Sequence, residues 1–354
     1  MISMTMQMKL KKDSNFLEKI AKRKFPYIIA EIGINHNGNL NLAKKMILSA
    51  KKSGADCVKF QSFVAEKLIS KYAPKANYQK KYKKTQLELI KSCELKTESL
   101  RKLKNFAKKK NIEFLCTPFE IKSLKDLIKI GIPAIKISSD NINNIPFLIE
   151  VSKTKLPVLL STGMANINEV AKAVKIFKKT KSPLLLLQCT SNYPSSIENS
   201  NLEVLKVFKK KFKCLVGLSD HTQSFLPSII ATTLGAVVIE KHFTLSRKLS
   251  GIDQQASLEP NELKDLINRC KETKMTLGSP RKFPTIEELN SMKVARRSLI
   301  ISKNLKKGIK IKKDMFEIKR PGTGISPENF KKIIGMKLLR DKKKDEVIFW
   351  KDLK

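Results

Sequence analysis

Several features that would quickly point to a function are scarce or missing in this sequence. Histidine occurs only three times in 354 residues. No apolar run reaches the roughly 18 consecutive residues that a membrane span requires. Residues 1–24 are rich in Met and Lys and lack an apolar core followed by a small-residue cleavage site, so we interpret them as a leader that is not a secretion signal. We therefore expect a cytoplasmic protein that has no membrane partner.

Cysteine pairing and a glycine-rich nucleotide loop are also missing. The six cysteines show neither Cys-x-x-Cys spacing nor the density of a disulfide scaffold. Four of them lie within apolar runs, which suits reduced thiols that pack as small apolar side chains. The glycine fingerprint of dinucleotide-binding folds does not occur. These absences disfavour a disulfide-stapled secreted domain and a doubly wound dinucleotide-binding sheet.

Negative charge is in short supply, because 72 Lys and Arg residues face 32 Asp and Glu residues and give a formal charge of +40. Such an excess is typical of nucleic-acid-binding proteins. Here, however, the lysines are spread over nearly every helix-like segment, with few aromatic residues among them. We therefore predict no nucleic-acid partner, and expect the positive field to attract small anionic substrates.

Apolar strand-like runs alternate with amphipathic helical stretches from Tyr27 onward. Eight alternations, each with an apolar strand suited to burial on both faces, predict a (β/α)8 TIM barrel over residues 25–278. An open doubly wound sheet is the alternative. In a barrel, the chemistry lies at the C-terminal ends of the strands. The runs cover residues 27–31, 57–61, 112–117, 134–139, 157–162, 184–190, 216–221 and 238–244.

The pattern changes after Gly278. Ser279-Pro280 and Phe283-Pro284 indicate a linker over residues 279–293, and the turn-rich remainder, residues 294–354, predicts a small β-rich domain. Its core is too small to be secure alone. We therefore expect it to dock on a barrel, either its own or that of a partner.

Two of the three histidines, His221 and His242, end the seventh and eighth strand-like runs. A single histidine in such a place is more often a hydrogen-bonding residue than a metal ligand. Two on neighbouring barrel strands would point into one mouth, and other strand ends also carry polar residues. The two histidines are therefore a candidate metal pair.

Seven sequence motifs, in unbroken order, resemble those of the sialic acid synthases, which include the N-acetylneuraminate, legionaminate and pseudaminate synthases. The stretch Arg320-Pro321-Gly322-Thr323-Gly324-Ile325 resembles the C-terminal antifreeze-like (SAF, β-clip) domain of that family. The motifs are Ala30-Glu31-Ile32-Gly33-Ile34-Asn35-His36-Asn37-Gly38, Val58-Lys59-Phe60-Gln61, Cys116-Thr117-Pro118-Phe119, Ser161-Thr162-Gly163-Met164, Cys189-Thr190-Ser191-Asn192-Tyr193-Pro194, Gly217-Leu218-Ser219-Asp220-His221-Thr222 and Glu240-Lys241-His242-Phe243-Thr244.

The resemblance implies a transferase that condenses phosphoenolpyruvate with the open-chain aldehyde of an N-acylated hexosamine to a nine-carbon 2-keto acid and phosphate. It also implies a domain-swapped homodimer. The sugar would be N-acetylmannosamine or 2,4-diacetamido-6-deoxy-mannose, since the first two motifs look closer to the neuraminate and legionaminate branch. The alternatives are another phosphoenolpyruvate-condensing keto-deoxy-sugar synthase and a non-catalytic binding protein on the same fold.

The resemblance also implies roles for individual residues. His221 and His242 would hold Mn²⁺, Mg²⁺ or another divalent ion, and two neutral imidazoles with open remaining positions suit a Lewis-acidic metal. Phosphoenolpyruvate would be held by Lys59, Thr117, Lys136, Ser139, Ser161 and Ser219. The sugar would be held by Gln61, Asn141, Tyr193, Asp253 and Arg320, the last from a neighbouring subunit, and catalysis would involve Glu31, Lys59 and Asp253.

For Glu31, Arg320 and His36, a purely structural role remains an alternative. Glu31 could order the attacking water, pair with Lys59, or do both. Arg320 could be a rigid-turn surface residue. His36 could orient substrate or simply hold its loop.

One position departs from the family pattern. The family usually has an acidic residue where Asn141 stands and a small one where Asp140 stands. Either the acid has shifted by one position or the enzyme takes a different sugar.

Overall fold

The structure is a computed structural model that describes residues 16–75, 79–80 and 82–354. The chain divides into two compact units, the first ending at Gly278 and the second comprising Ser279–Lys354. Residues 1–15 of the predicted leader lie outside the described residues. Within the described residues, no helix combines the length and the apolar character that crossing a bilayer requires.

Eight parallel strands form the core of the first unit, which confirms the predicted barrel. They pair in the order β3-β2-β1-β8-β7-β6-β5-β4, and the two outermost strands of this order contact each other. The strands are β1 Tyr27–Gly33, β2 Cys57–Ser62, β3 Glu113–Pro118, β4 Ile135–Ile137, β5 Val158–Ser161, β6 Leu184–Cys189, β7 Leu215–Asp220 and β8 Val238–His242.

Amphipathic helices follow the strands and bury one face each against them. Local signals place their ends: Asn166 and Glu169 form a capping box at the start of α8, and Pro260 opens α11. The helices of this unit are α1 Phe16–Ala21, α2 Leu40–Ser53, α3 Ala65–Leu68, α4 Gln86–Lys91, α5 Thr97–Lys109, α6 Ile121–Ile130, α7 Ile145–Lys153, α8 Ile167–Thr180, α9 Val204–Phe212, α10 Leu226–Thr233 and α11 Pro260–Leu277.

The barrel interior is apolar at one end and polar at the other. Because side chains alternate along a strand, Tyr27, Ile29 and Glu31 share one face, and so do Val238, Glu240 and His242. The N-terminal halves of the strands build a buried apolar cluster, which Phe16, Leu17 and Ile20 of α1 join. The described part of the predicted leader is therefore a helix packed on the barrel core.

An insertion follows β2 and carries α3 and α4; its residues 76–78 and 81 lie outside the described residues. Phe63, Leu89 and Cys93 of this insertion pack with Ile34, after β1, and Ile252, after β8. This satellite cluster joins three loops at the C-terminal end of the barrel. It therefore anchors the backbone on either side of the barrel mouth.

The second unit is small and strand-poor. It contains α12 Ile286–Ala295, β9 Ser298–Ile301 paired antiparallel with β10 Phe316–Lys319, and α13 Phe330–Ile333. Isolated bridges such as Ile300 to Val347 hold the rest of the chain around a buried apolar cluster. The stretch predicted as a linker thus includes a helix, α12, whose residues are not buried.

Candidate active site at the barrel mouth

Lys59 lies at the centre of the polar end of the barrel. Glu31 and Lys59 are partners in the register of β1 and β2, and the Lys59 Nζ lies 2.8 Å from Glu31 Oε2. The same ammonium group donates a hydrogen bond of 3.1 Å to Thr117 Oγ1 on β3. All three side chains are buried. The predicted lysine, carboxylate and hydroxyl therefore meet in one place.

Lys136 forms the second half of this polar layer. Its Nζ donates to Ser161 Oγ at 2.7 Å and lies 3.5 Å from Glu240 Oε1. Ser219 Oγ donates to the same carboxylate oxygen at 2.8 Å. The second carboxylate oxygen of Glu240 lies 3.7 Å from Lys59 Nζ. Glu240 thus bridges the two buried lysines.

Glu240 is the functional residue that the sequence interpretation missed. It stands two residues before His242 on β8, so the two side chains share the inward face of that strand. The alternation of a strand, applied to the already identified histidine, would have found it. A carboxylate within an apolar run was the available signal.

Burial and pairing set the charges in this layer. Burial alone would raise the pKa of Glu240, but the ammonium groups of Lys136 and Lys59 outweigh it and lower that pKa to about 2. Burial lowers the pKa of Lys136, with Glu240 opposing the shift. For Lys59, burial is outweighed by Glu240 and Glu31, so its pKa is raised. The layer therefore holds opposite charges that stabilise each other.

The two histidine rings converge above this layer. Their centroids lie 5.4 Å apart at an interplanar angle of 65°. Tyr193, from the loop after β6, contacts both rings, with centroid distances of 4.2 Å to His221 and 5.4 Å to His242. The three predicted residues are thus next to one another.

The two histidines fit a divalent metal. His221 Nδ1 lies 2.7 Å from the carbonyl oxygen of Thr190, which fixes the proton on that nitrogen and leaves the lone pair on Nε2. His242 Nδ1 is buried and makes no hydrogen bond. Rings 5.4 Å apart can share one ion at nitrogen distances of about 2.1 Å. Among the described residues, no group of three or more His, Cys, Asp or Glu side chains could hold an ion, so the protein would supply these two ligands.

Asp253 approaches the same rings from the loop after β8. Its Oδ2 lies 4.0 Å from His242 Nδ1. Burial, helped by the nearby charge of Glu31, raises the pKa of Asp253 to about 7. The preceding residue, Ile252, belongs to the satellite cluster of the insertion. The carboxyl group is therefore held next to the His242 ring from an anchored position.

Gln61 and Gly33 complete the Glu31 side of the mouth. Gln61 Nε2 donates to Glu31 Oε1 at 3.2 Å. Gly33 has a φ of +54°, and a Cβ there would lie 3.2 Å from both Gln61 Nε2 and Glu31 Oε1. A glycine is required because this backbone turns against the side chains that it must accommodate.

The loop after β4 holds the remaining predicted residues of the barrel. Ser139 is buried, and its hydroxyl accepts a hydrogen bond of 3.0 Å from the backbone N–H of Gly163. Asn141 is buried, and its Oδ1 accepts from Asn144 Nδ2 at 2.9 Å. Asp140 is exposed and hydrogen-bonded to Ser138. The exposed acid thus does not take the place of the buried amide.

His36 and Arg320 are the remaining predicted residues, and the structure shows the local surroundings of each. His36 is buried, accepts a hydrogen bond of 3.0 Å on Nδ1 from the Gly38 N–H and stacks on Phe60. These contacts hold the loop after β1. Arg320 is exposed and lies in the second unit, directly after β10.

The fold and the mouth together define a TIM-barrel protein with a polar site at the C-terminal ends of its strands, followed by a small β domain. The sequence pattern of the NeuB family matches residues 46–282, and that of the SAF domain matches residues 296–354. The chain belongs to the NeuB family and carries a C-terminal SAF domain.

Relatives with a described activity are similar over most of the chain. The N,N'-diacetyllegionaminic acid synthase of Legionella pneumophila is 40% identical, covering 92% of this chain and 94% of that protein. The pseudaminic acid synthase of Campylobacter jejuni is 34% identical, covering 89% and 93%. A crystal structure of N-acetylneuraminic acid (sialic acid) synthetase from Leptospira borgpetersenii has a TM-score of 0.67 at 36% identity, covering 76% of this chain and 91% of that one. The chain is thus an enzyme of the nonulosonic acid synthase family.

Proposed function

We propose that this enzyme condenses phosphoenolpyruvate with the open-chain aldehyde of an N-acylated hexosamine. The observation that carries the proposal is the juxtaposition, in one barrel mouth, of two buried ammonium groups with three hydroxyls and a converging histidine pair. Buried cations beside hydroxyl donors suit a substrate with a phosphate and a carboxylate. The histidine pair suits a substrate with a carbonyl oxygen.

Lys59, Lys136 and the hydroxyls of Thr117, Ser139, Ser161 and Ser219 would bind phosphoenolpyruvate. In the structure, the Glu240 carboxylate lies near both ammonium groups. An arriving anion would replace some of these charge-assisted contacts with contacts of its own. Because these groups are held by the strands, they need little reorganisation when the anion binds. Fixed cations of this kind also stabilise the departing phosphate.

His221 and His242 would hold a divalent ion such as Mn²⁺, which would supply Lewis acidity toward the aldehyde oxygen. C3 of phosphoenolpyruvate then attacks the aldehyde carbon, forming the new carbon–carbon bond. Water adds at C2 and gives one proton to the former aldehyde oxygen, which becomes a hydroxyl. Cleavage of the bond between C2 and the phosphate oxygen then releases phosphate, which takes the second proton, and leaves the 2-keto group. Glu31, which contacts Lys59 and Gln61, would orient the water, and Asp253 would accept a hydrogen bond from a sugar hydroxyl.

The sugar is best accounted for as the 2,4-diacetamido-6-deoxy hexose. Asn141 Oδ1 accepts a hydrogen bond from Asn144, and Asn141 Nδ2 makes none within the described residues, so Nδ2 is available as a donor. A donor suits the carbonyl oxygen of a second acetamido group better than the hydroxyl proton that a carboxylate would accept. The identity of 40% to the Legionella N,N'-diacetyllegionaminic acid synthase, compared with 32% to the human N-acetylneuraminate-9-phosphate synthase, supports the same choice.

Phosphate release from phosphoenolpyruvate tests the reaction. We expect release with 2,4-diacetamido-6-deoxy-mannose and Mn²⁺, slower release with N-acetylmannosamine, and a return to background after exhaustive chelation. Turnover that survives chelation would contradict the metal. A preference for phosphorylated aldoses would instead indicate another keto-deoxy-sugar synthase, and no release with any aldehyde would indicate a binding protein.

Asn141→Glu tests the choice of sugar. We expect this substitution to shift the preference toward N-acetylmannosamine by about tenfold, since one hydrogen bond to a charged group is worth about 1.5 kcal/mol. Asp140→Glu, at the exposed neighbouring position, is the control and should leave the preference unchanged. Equal sugar preference in the wild type and Asn141→Glu would remove position 141 from the selection of substrate.

We also infer a homodimer in which Arg320 of one subunit reaches the site of the other. Apolar side chains of the second unit, including Phe283, Ile286 and Val294, are exposed and offer a surface that a second subunit could cover. Sedimentation should give a dimer. Arg320→Ala should raise KM for the sugar about tenfold while leaving KM for phosphoenolpyruvate unchanged, whereas Arg340→Ala, in the same unit, should change neither. A monomer with full activity would refute this inference.

A further inference from the structure

Another buried ion pair is formed by the sequence neighbours of the two histidines, on the outward face of strands β7 and β8. Lys241 Nζ is 2.8 Å from Asp220 Oδ2, and the two side chains are each 1% exposed. Asp220 and Lys241 are partners in the register of β7 and β8. Asp220 stands between Ser219 and His221, and Lys241 between Glu240 and His242, so the pair faces away from the mouth while its neighbours face into it.

The pair also holds the loop that carries His221. Lys241 Nζ donates to the carbonyl oxygens of Thr222 and Ser224, the latter at 3.1 Å. Asp220 Oδ1 accepts from the Thr222 N–H at 2.9 Å, and its Oδ2 accepts from Ser228 Oγ at 2.8 Å. Residues 220–224 are thus tied to β8 by side chains.

These side-chain contacts extend beyond the last backbone pairing of β7 and β8. The ladder between β7 and β8 ends at Asp220 and Lys241, one residue before His221. Beyond that point, His221 is held by the loop after β6, through the Ser195 N–H and the Thr190 carbonyl. The ion pair, with its bonds to Thr222 and Ser224, adds a side-chain link between this loop and the strand of His242.

Stability alone does not account for the pair. Outward positions beside it, such as Leu218 and Ile239, are apolar and belong to the core between strands and helices. An apolar pair at such a site is often as stable as a buried ion pair, since both charges must be desolvated. A directional pair, however, fixes geometry that apolar contacts leave adjustable.

We propose that Lys241 and Asp220 are positioning residues that set the separation of the His221 and His242 rings. This inference rests on the proposed function, in which those rings share one divalent ion. Substitution of groups that orient metal ligands typically lowers metal affinity 10- to 100-fold. Removal of the pair should therefore weaken the binding of Mn²⁺ more than it lowers the stability of the fold.

The test compares two matched double variants of the full-length enzyme. Lys241→Met with Asp220→Asn removes the pair while Asn can still accept from the Thr222 N–H. Lys342→Met with Asp352→Asn removes a similar buried pair in the second unit, where Lys342 lies 2.9 Å from Asp352 and Asp352 accepts from the Phe349 N–H. Calorimetric titration with Mn²⁺ should show affinity weakened roughly 10- to 100-fold in the first variant and unchanged in the second.

Amide exchange supplies a readout independent of the metal. Residues 220–224 should exchange faster in the first variant only. Wild-type Mn²⁺ affinity in that variant, or an equal loss in both variants, would overturn the proposal. If the double variant does not fold, Ser228→Ala, which removes one hydrogen bond to Asp220, decides instead: affinity about fivefold weaker supports the proposal, and unchanged affinity overturns it.

Failure of the proposed function would be distinguishable from failure of this inference. If the wild type binds no Mn²⁺, the metal assignment is wrong. The separation of the two imidazoles, measured in crystals of the wild type and of the variant, then decides the positioning role. A change of more than about 1 Å supports it, and an unchanged separation overturns it.

Discussion

Lysines at the mouth of the barrel differ in their surroundings from lysines on its helices. Lys59 and Lys136 are buried, and their Nζ atoms lie 2.8 Å and 3.5 Å from carboxylates. On or just after the helices, in contrast, several lysines bind backbone carbonyls, and others, such as Lys153 beside Glu150, pair with exposed carboxylates. Lysine side chains thus belong to the candidate site in one region and bind the ends of helices in the other.

Four lysines on or just after barrel helices share one arrangement. Each of the four donates a hydrogen bond to a carbonyl at the C-terminal end of the following barrel helix. Such carbonyls lack partners within their own helix and carry the negative end of its dipole. The pairs are Lys51 with Asn111, Lys104 with Ile130, Lys155 with Thr180 and Lys209 with Leu234.

The comparison shows why a formal charge of +40 says little about function. A net charge adds together ammonium groups that cap helices, groups that are solvated and the few that are buried beside carboxylates. Desolvation makes the buried ones costly unless an anion is near. Burial and partner, which a composition does not contain, therefore decide which lysines act on a substrate.

The largest effect should follow from removing a mouth lysine. Lys136→Met deletes a cation from the proposed phosphoenolpyruvate site, and we expect kcat/KM to fall about 10³-fold, as for other preorganised charge-stabilising groups. Lys175→Met removes the same formal charge from the exposed face of α8 and should leave kcat/KM within twofold of the wild type. Similar losses in both variants would mean that the overall field, and not the site, binds the substrate.

An intermediate effect should follow from removing the carboxylate between the two lysines. Glu240→Gln leaves Lys136 buried without its nearby carboxylate, and we expect the free energy of unfolding to fall by about 3 kcal/mol in denaturant titrations. Adding Lys136→Met to Glu240→Gln should recover much of that stability, because the uncompensated charge is gone, while activity stays lost. A double variant no more stable than Glu240→Gln would contradict this pairing.

The sequence was sufficient for the barrel because eight apolar runs and their intervening helices repeat one local pattern that burial on both faces requires. It also predicted that the polar residues at the strand ends lie together, since such residues meet at one mouth in this fold. The contacts that could not be predicted from the sequence depend on distances between strands. The bridging of Lys59 and Lys136 by Glu240 joins three strands that are far apart in the chain.

The boundaries of the barrel were harder to predict for a related reason. Phe16, Leu17 and Ile20 occupy a short apolar stripe within a Lys-rich segment, and only their burial against Tyr27 and its neighbours shows that they belong to the core. Most of helix α12 falls within the predicted linker, residues 279–293, because two prolines precede it; in the structure none of its residues is buried. Local composition describes such segments poorly when their partners lie elsewhere in the chain.

The smallest effect should come from the helix lysines, and Lys209 offers the sharpest case. Its Nζ donates a hydrogen bond of 2.7 Å to the Leu234 carbonyl, just after α10, and a cation there is worth about 0.3–1 kcal/mol. Lys209→Met should lower the free energy of unfolding by that amount and leave kcat/KM unchanged. Lys210→Met, next to it on α9 and without a hydrogen bond or ion pair in the described structure, should change neither. Because both variants lose one positive charge, a difference in their stability can come only from the contact that Lys209 makes. Equal stabilities would show that water satisfies the Leu234 carbonyl equally well.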